Sequence, residues 1–203
     1  MTAAFWIWLC ATLFFWAMQA YTKKYIYSPL ITACCAAFCA INGAWLAVAA
    51  LAVSIAGDWF MNHQKLHPAN FLFAVALFAL AHALFILYAA RRFAFRPAAL
   101  AGVFLLGAAY AVYLKRRILA GQPPAMRTAL PCYALISLAG LFFALCLDAN
   151  AAELILYALG VSSILFSDTM IAEADFAKRR RAGRLILPFY FLCHALIACS
   201  TAF

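Results

Sequence analysis

Apolar runs of roughly 20 residues recur along almost the whole chain, and they constrain its fold more than any other feature. A bilayer core requires about 20 apolar residues per helix, and lipid offers no water to an exposed backbone, so spanning segments must be helical. The 203 residues are 70% hydrophobic and 10% charged, which excludes an ordinary soluble domain. The sequence therefore predicts an all-α integral membrane helical bundle, a single domain over residues 1–203 with short loops.

The apolar runs predict about eight transmembrane helices, and the boundary near 41–43 is the least sharply defined. The predicted spans are 3–20, 29–42, 44–61, 69–89, 98–115, 125–146, 151–173 and 185–201. The first run lacks the basic start and the small-residue cleavage site of a signal peptide. We therefore interpret it as a retained first helix.

Basic residues are distributed unequally between the two sides that eight spans define. The opposite side holds only Arg91, Arg92 and Arg96, whereas the first, third, fifth and seventh loops hold Lys23, Lys24, Lys65, Lys115, Arg116, Arg117, Arg127, Lys178, Arg179, Arg180, Arg181 and Arg184. By the positive-inside rule those loops are cytoplasmic, and both termini lie on the non-cytoplasmic side. We expect a bacterial inner-membrane protein whose net charge of +9 reflects this topology and anionic lipids, not nucleic acid.

Eight cysteines all fall within predicted spans. Cys34, Cys35 and Cys39 lack the CxxC spacing of a zinc site, and a buried free cysteine packs like a small apolar residue. The sequence therefore predicts no disulfide framework and no metal or cofactor.

Two aspartates within the spans are the strongest functional candidates, because charged side chains there are costly and usually mark a site. Asp58, in SIAGDWFMNHQ, lies about one turn from the predicted cytoplasmic end of the third span. Asp168 follows Ser167 and lies about one to two turns from the same end of the seventh span. Either aspartate alone is explained equally well by a carboxylate that snorkels to the interface. Two aspartates at matched depth predict a shared site in the inner leaflet.

Two histidines and a tyrosine are further candidates. His82 shares one helix face with Phe71 and Phe78, while Tyr190 and His194 are four residues apart on a face of the last span. Each alone is typical of a hydrogen-bonded packing residue. Their role therefore depends on the aspartates near them.

The same residues indicate an internal repeat. Asp58 precedes His82 by 24 residues and Asp168 precedes His194 by 26, and each pair runs from the inner end of one span into the next. The two units are four spans apart, which preserves orientation, as in parallel repeats. We hypothesise a four-plus-four duplication. The remaining acidic residues are predicted to be solvated helix ends outside the site: Asp148, Glu153, Glu173 and Asp175.

At these positions the sequence resembles the YhhN-like family of polytopic membrane proteins, the lysoplasmalogenases. The matching residues occur in the family's order and are Gly57, Asp58, Phe71, Phe78, His82, Gly160, Ser167, Asp168, Ala172, Phe176, Tyr190 and Ser200. Five positions depart from what the resemblance leads us to expect. Ser28 replaces a Lys, Ala74 a Gly, Phe85 a Tyr, Ile164 an aromatic residue and His194 a Gln. Both aspartates are retained, so the departures concern substrate preference more than chemistry.

The resemblance implies hydrolysis of the vinyl ether bond of lysoplasmalogens, the alkenyl glycerophosphocholines and glycerophosphoethanolamines, to a fatty aldehyde and a glycerophospho-base. This reaction needs an acid that protonates the β-carbon and a carboxylate that stabilises the oxocarbenium ion or activates water. We therefore predict that Asp58 and Asp168 are the catalytic pair, without assigning which is the acid. The ether lies just beneath the headgroup, at the depth predicted for both.

Other residues are expected to support this pair. Gly57 is expected to let a helix or lipid approach closely, and Lys65 with the basic cluster 179–184 to hold a phosphate, although topology alone explains these charges equally well. His82 and Tyr190 are expected to orient a carboxylate or water, and Ser167 and His194 are further supporting or substrate-binding residues. The expected partners are a lysophospholipid substrate and membrane lipids, and the oligomeric state stays open.

Three alternative functions remain. Asp58, His82, Asp168 and His194 are zinc-ligand types, which would suit a metal-dependent lipid hydrolase, although no local His pair supports it. A small transporter or channel would use the aspartates as proton or cation sites. An intramembrane aspartyl protease ranks lower, because Ile55 replaces the first glycine of its Gly-x-Gly-Asp signature.

Overall fold

The regular elements are helical in the part of the chain that the computed structural model describes, residues 2–179 and 181–203. A π-helical turn, Leu114–Ile118, extends the fifth of eight α-helices. These are α1 (Ala3–Thr22), α2 (Tyr27–Ile41), α3 (Trp45–Asn62), α4 (Pro68–Ala90), α5 (Pro97–Tyr113), α6 (Pro124–Leu145), α7 (Ala151–Asp175) and α8 (Gly183–Ser200). Every end lies within two residues of the predicted span, so the predicted helical bundle is confirmed.

Seven of these helices are long and apolar enough to cross a membrane, and α2 is the exception within the described residues. Its 15 residues rise about 22 Å, whereas a hydrocarbon core is about 30 Å thick. The chain is therefore an integral membrane protein with one short helix in its bundle.

Local sequence signals fix several helix ends. Pro97 and Pro124 occupy the first positions of α5 and α6, where the missing N–H costs nothing. Asn150 caps α7, since its side-chain oxygen accepts a hydrogen bond from the backbone N–H of Glu153 at 3.0 Å. Gly43 takes φ = +74° in the tight turn between α2 and α3, a conformation that glycine adopts without strain.

The packing order of the helices repeats after four helices. The most extensive contacts are within the hairpins α3–α4 and α7–α8. Three further pairs of contacting helices also correspond when four is added to each helix number. The contact α1–α2 corresponds to α5–α6, and α2–α3 corresponds to α6–α7. The contact of α4 with α6 corresponds to that of α8 with α2. This is the arrangement that a four-plus-four duplication predicts.

The predicted cytoplasmic loops meet at one end of the bundle, which we call the basic end. Tyr25 packs against His63, which joins loop 23–26 to loop 63–67. Gln122 Nε2 donates a hydrogen bond to the backbone oxygen of Phe176, which joins loop 119–123 to loop 176–179. Arg180, one of the predicted basic residues, lies outside the described residues. The remaining loops form the opposite end.

Two acidic residues predicted to be solvated helix ends are instead buried, so that prediction is wrong for them. Glu153, 5% exposed, forms an ion pair with Arg92 at the opposite end. Glu173, 4% exposed, contacts Tyr113 and lies 3.1 Å from Arg179 Nε. A residue at a helix end is buried when a neighbouring helix or loop covers it, and the local sequence does not specify that neighbour.

The cysteines also differ from one another more than predicted. Cys35, Cys39 and Cys193 are buried in the main apolar core, and all eight are free thiols. Cys10 and Cys132, however, are exposed on the outer surface of the bundle. Packing explains the first group, whereas contact with lipid is the natural environment of the second.

Candidate active site

Helices α3, α4, α7 and α8 enclose a pocket of about 100 Å³ in the half of the bundle nearer the basic end. We call it the polar pocket. Most of its lining is apolar and includes Phe78, Phe85 and Ile164. Five of the predicted site residues line it together: Asp58, His82, Asp168, Tyr190 and His194.

Asp168 lies between α4 and α6 and faces a group of polar side chains. Its Oδ2 lies 3.3 Å from Nε2 of His82, and the hydroxyl of Tyr133 points toward the same carboxylate. Ser137 Oγ lies 3.4 Å from His82 Nε2. The aspartate therefore shares its corner of the pocket with an imidazole and two hydroxyls.

The hydrogen bonds of His82 show where a proton is held. His82 Nδ1 lies 2.8 Å from the backbone oxygen of Phe78, which can only accept, so Nδ1 carries a hydrogen and donates it. A bare Nε2 lone pair facing an ionised Asp168 at 3.3 Å would be repulsive. The two facing atoms are therefore placed to share one further proton.

Asp58 lies in a different environment, between α2 and α8. Ser28 Oγ donates to its Oδ2 at 3.5 Å, a long contact, and the hydroxyl of Tyr190 faces both Asp58 and Ser54. In the adjacent loop, burial and the Asp58 carboxylate raise the pKa of Tyr25 to about 12, so this phenol stays neutral near pH 7. The carboxylate thus has hydroxyl neighbours and no imidazole bonded to it.

Two buried oxygen atoms at the pocket have contacts that fall short of a regular hydrogen bond among the described residues: Asp168 Oδ2 lies 3.3 Å from His82 Nε2, and Tyr190 Oη faces Asp58 and Ser54. Buried polar atoms are nearly always paired, so such exceptions require an explanation. Both residues line the polar pocket. The two oxygens are therefore suited to contact a polar group of a bound molecule.

His194 is bonded away from the aspartates. Its Nδ1 lies 3.1 Å from Thr32 Oγ1, and its ring packs edge-on against Tyr190 with centroids 4.3 Å apart. Thr32 Oγ1 is in turn 3.4 Å from the backbone oxygen of Ser28. His194 therefore supports Tyr190 and connects α8 to α2.

The remaining predicted site residues have separate placements. Gly57 is buried, and a Cβ there would lie 2.9 Å from the ring of Phe78, which agrees with the close helix approach predicted for it. Ser167 Oγ donates to the backbone oxygen of Ile186 at 3.1 Å, so it joins α7 to α8 instead of entering the pocket. Lys65 is exposed in loop 63–67 and does not line the pocket.

Sequence reasoning did not select the hydroxyl residues beside the aspartates and histidines. They form two pairs spaced by four residues, each on one helix face: Ser28 with Thr32 on α2, and Tyr133 with Ser137 on α6. This spacing within apolar spans was the available signal. The two pairs occupy corresponding helices of the repeat.

A second cavity of about 90 Å³ adjoins the polar pocket on its basic-end side. We call it the apolar groove. It lies between α4, α6 and α7, and Met61, Phe78, Asp168 and Ile171 line both cavities. Asp168 is the one charged residue among the described residues that line it. The pair of cavities therefore places a carboxylate at the inner end of an apolar passage.

The four residues of the metal-dependent alternative do not form a metal site in the described part of the chain. No group of three His, Cys, Asp or Glu side chains there is arranged to hold a metal ion. His82 Nδ1 and His194 Nδ1 are engaged by neighbouring protein groups. The four residues share a pocket without converging on one point.

The fold and the pocket define a polytopic membrane protein with two aspartates inside its helical bundle. The chain belongs to the YhhN family, whose pattern matches residues 18–201. This match covers α2 to α8 and therefore both aspartates. No curated protein and no solved structure matches the chain.

Proposed function

We propose that this protein is a lysoplasmalogenase-like ether hydrolase that cleaves the vinyl ether bond of alkenyl lysophospholipids within the membrane. The observation that carries the proposal is the polar pocket, in which Asp58, Asp168 and His82 surround one small space. Membership of the YhhN family is consistent with such a hydrolase. The depth of the pocket suits a bond that lies just beneath a lipid headgroup.

The pair of Asp168 and His82 is the proposed general acid. It holds one proton next to the pocket, and the contact between Phe78 and Nδ1 keeps Nε2 directed at the carboxylate. This proton is transferred to the β-carbon of the vinyl ether, and the electrons of the double bond form the new C–H bond. The product is an oxocarbenium ion on the ether carbon. A positioned acid typically contributes about 10²- to 10⁴-fold to such a step.

Asp58 is the proposed carboxylate partner. An ionised carboxylate stabilises the oxocarbenium ion and then accepts a proton from the water that attacks the ether carbon. Hydroxyls of Ser28 and Tyr190 lie beside it and are placed to orient this water. The result is a hemiacetal with the proton on Asp58 and the negative charge on the pair of Asp168 and His82.

Collapse of the hemiacetal completes the cycle. The hemiacetal hydroxyl loses its proton to Asp168, the C–O bond to glycerol breaks, and the proton on Asp58 passes to the leaving oxygen. One water is consumed, an aldehyde and a glycerophospho-base are formed, and both acids return to their starting states. We propose that the basic end faces the cytoplasm of a bacterial cell, so that substrate lies in the inner leaflet.

Mass spectrometry of defined lipids tests the proposal directly. Purified protein is incubated with alkenyl, alkyl and acyl lysophospholipids that share one headgroup and chain length. Only the alkenyl lipid should decrease, with equal formation of fatty aldehyde and glycerophospho-base. Only its double bond can accept the proton that starts the reaction.

The outcomes separate the competing functions. Cleavage of the acyl lipid, or activity that is lost on chelation and restored by zinc, would favour the metal-dependent alternative. Unchanged lipids together with proton or cation flux in proteoliposomes would favour a transporter. Within the described residues the donor arrangement favours acid–base chemistry over a metal site.

A further inference from the structure

The apolar groove opens on the side of the bundle that faces lipid. Leu72 and Val75 of α4 form one edge, and Met126, Ala129 and Leu130 of α6 form the other. Leu72 is 60% exposed and Ala129 is also exposed, so the gap between the two helices reaches the outer surface. The inner end of the same groove is Asp168.

The corresponding gap in the other half of the repeat is covered. There α1 lies over α2 and α8, where Trp16 packs against Phe191 and Trp8 stacks on Phe38 with centroids 4.5 Å apart. The counterpart of α1 is α5, and α5 has no buried residue. Among the described residues, only the α4–α6 side therefore combines an uncovered gap with an aspartate behind it.

We propose that the gap between α4 and α6 is a lateral portal through which a single-chain ether lysophospholipid moves from the inner leaflet to the polar pocket. This inference rests on the proposed function for its choice of lipid. The portal residues are Leu72, Val75, Met126, Ala129 and Leu130.

The lining and the charges of the passage suit a lipid chain. The groove and the pocket are small cavities of about 90 Å³ and about 100 Å³, and the ring of Phe78 lies at their junction. At the basic end the rings of Phe71 and Phe176 lie 6.2 Å apart and narrow the groove. Arg127, exposed beside Met126 at the start of α6, lies where a phosphate at the membrane surface would be.

Photo-crosslinking detects the portal without requiring turnover. The probe is an alkyl-ether lysophosphatidylcholine with a diazirine on its chain, which lacks the double bond and is not a substrate for the proposed chemistry. After irradiation of the full-length protein in vesicles, adducts should map to the α4 and α6 peptides that contain the portal residues. Excess unlabelled lipid should remove them.

A pair of tryptophan variants supplies the matched test. Ala129→Trp fills the portal, whereas Ala109→Trp adds the same side chain at an exposed position of α5 outside both cavities. Ala129→Trp should lower portal crosslinking and kcat/KM for the alkenyl lipid by about tenfold, mainly through KM. Ala109→Trp should leave both within about twofold of the parent protein.

The results distinguish failure of the portal from failure of the function. Competed adducts at the portal without any hydrolysis would support the portal and overturn the proposed reaction. If the lipid is hydrolysed, each of three results would overturn the portal. These are adducts on α1, α2 or α8, adducts that unlabelled lipid does not remove, and equal effects of Ala129→Trp and Ala109→Trp on crosslinking and kcat/KM. Competed portal adducts that only Ala129→Trp reduces would support it.

Discussion

The two halves of the bundle place an aspartate in corresponding positions but give it different partners. Asp168 faces His82 and Tyr133, whereas Asp58 faces Ser28 and Tyr190. In each half the corresponding helix, α6 or α2, also supplies a contact to a histidine, through Ser137 or Thr32. The backbone plan is therefore shared, and the side chains around each carboxylate differ.

This difference explains how a repeated framework can produce two chemical roles. An acid–base reaction needs one group that gives a proton and another that accepts one, so two identical environments would serve it poorly. Under the proposed mechanism, the imidazole of His82 shares a proton with Asp168. The hydroxyls of Ser28 and Tyr190 then orient the water that Asp58 activates.

Replacement of each aspartate by asparagine should give the largest effect and tests most directly whether the two aspartates have different roles. Asp168→Asn should lower aldehyde release by about 10³-fold, and Asp58→Asn by about 10²-fold or more, because each removes a proton-transfer group. Rates should be measured over a pH series. With Asp168 removed, the residual rate should rise about tenfold for each pH unit of acidification, since hydronium becomes the acid.

The control for both variants is Asp175→Asn, at the exposed end of α7. It should retain the parent rate and the parent pH profile. Equal pH profiles for the two site variants would show that the aspartates are not divided into acid and base. Full activity in both would end the two-aspartate mechanism.

The two histidines give the next largest expected effect. His82→Gln removes the imidazole that shares a proton with Asp168, and it should lower kcat by about 10²-fold. His194→Gln should stay within a few-fold of the parent, because His194 bonds to Thr32 and not to an aspartate. Single-turnover kinetics of both variants measure this contrast. A larger loss of kcat for His194→Gln than for His82→Gln would contradict the assignment of the proton-sharing role to His82.

Two glycines give the smallest effect. Gly57→Ala would place a Cβ 2.9 Å from the Phe78 ring, so the ring must shift within the pocket, at a cost of about 1–3 kcal/mol if it cannot relax. Gly140→Ala meets Val161 at an ordinary 3.6 Å and should change stability by less than about 0.5 kcal/mol. Thermal inactivation in detergent and kcat/KM compare them. Equal thermal inactivation and equal kcat/KM for the two variants would mean that the ring of Phe78 is free to move.

Much of the fold followed from hydropathy. The predicted spans agree with the helices because bilayer thickness dictates their length, and the prolines that begin α5 and α6 mark their starts. The aspartates and His82 were also predictable, since an ionisable group in a span is costly enough to require a reason. These features depend on local sequence and on the solvent.

The partners of those residues were harder to predict. Serine and threonine cost little in an apolar helix because they can bond to their own backbone, as Ser54 does to the oxygen of Ala50, so Ser28 and Thr32 gave no strong signal. Glu153 and Glu173 occupy helix ends that look solvated in sequence, and only the packing of distant segments buries them. Such contacts depend on which helices become neighbours.

The short second helix has a consequence for the supply of water. Ser28 in the first turn of α2 contacts Asp58. Loop 23–26 therefore reaches the depth of that carboxylate, which is deeper in the bundle than the end of α3 at Asn62. A helix shorter than the bilayer draws the polar interface inward at its end. We therefore expect hydration to extend along α2 to Asp58. The reactant that hydrolysis consumes would reach the pocket from this side, while lipid arrives from the other.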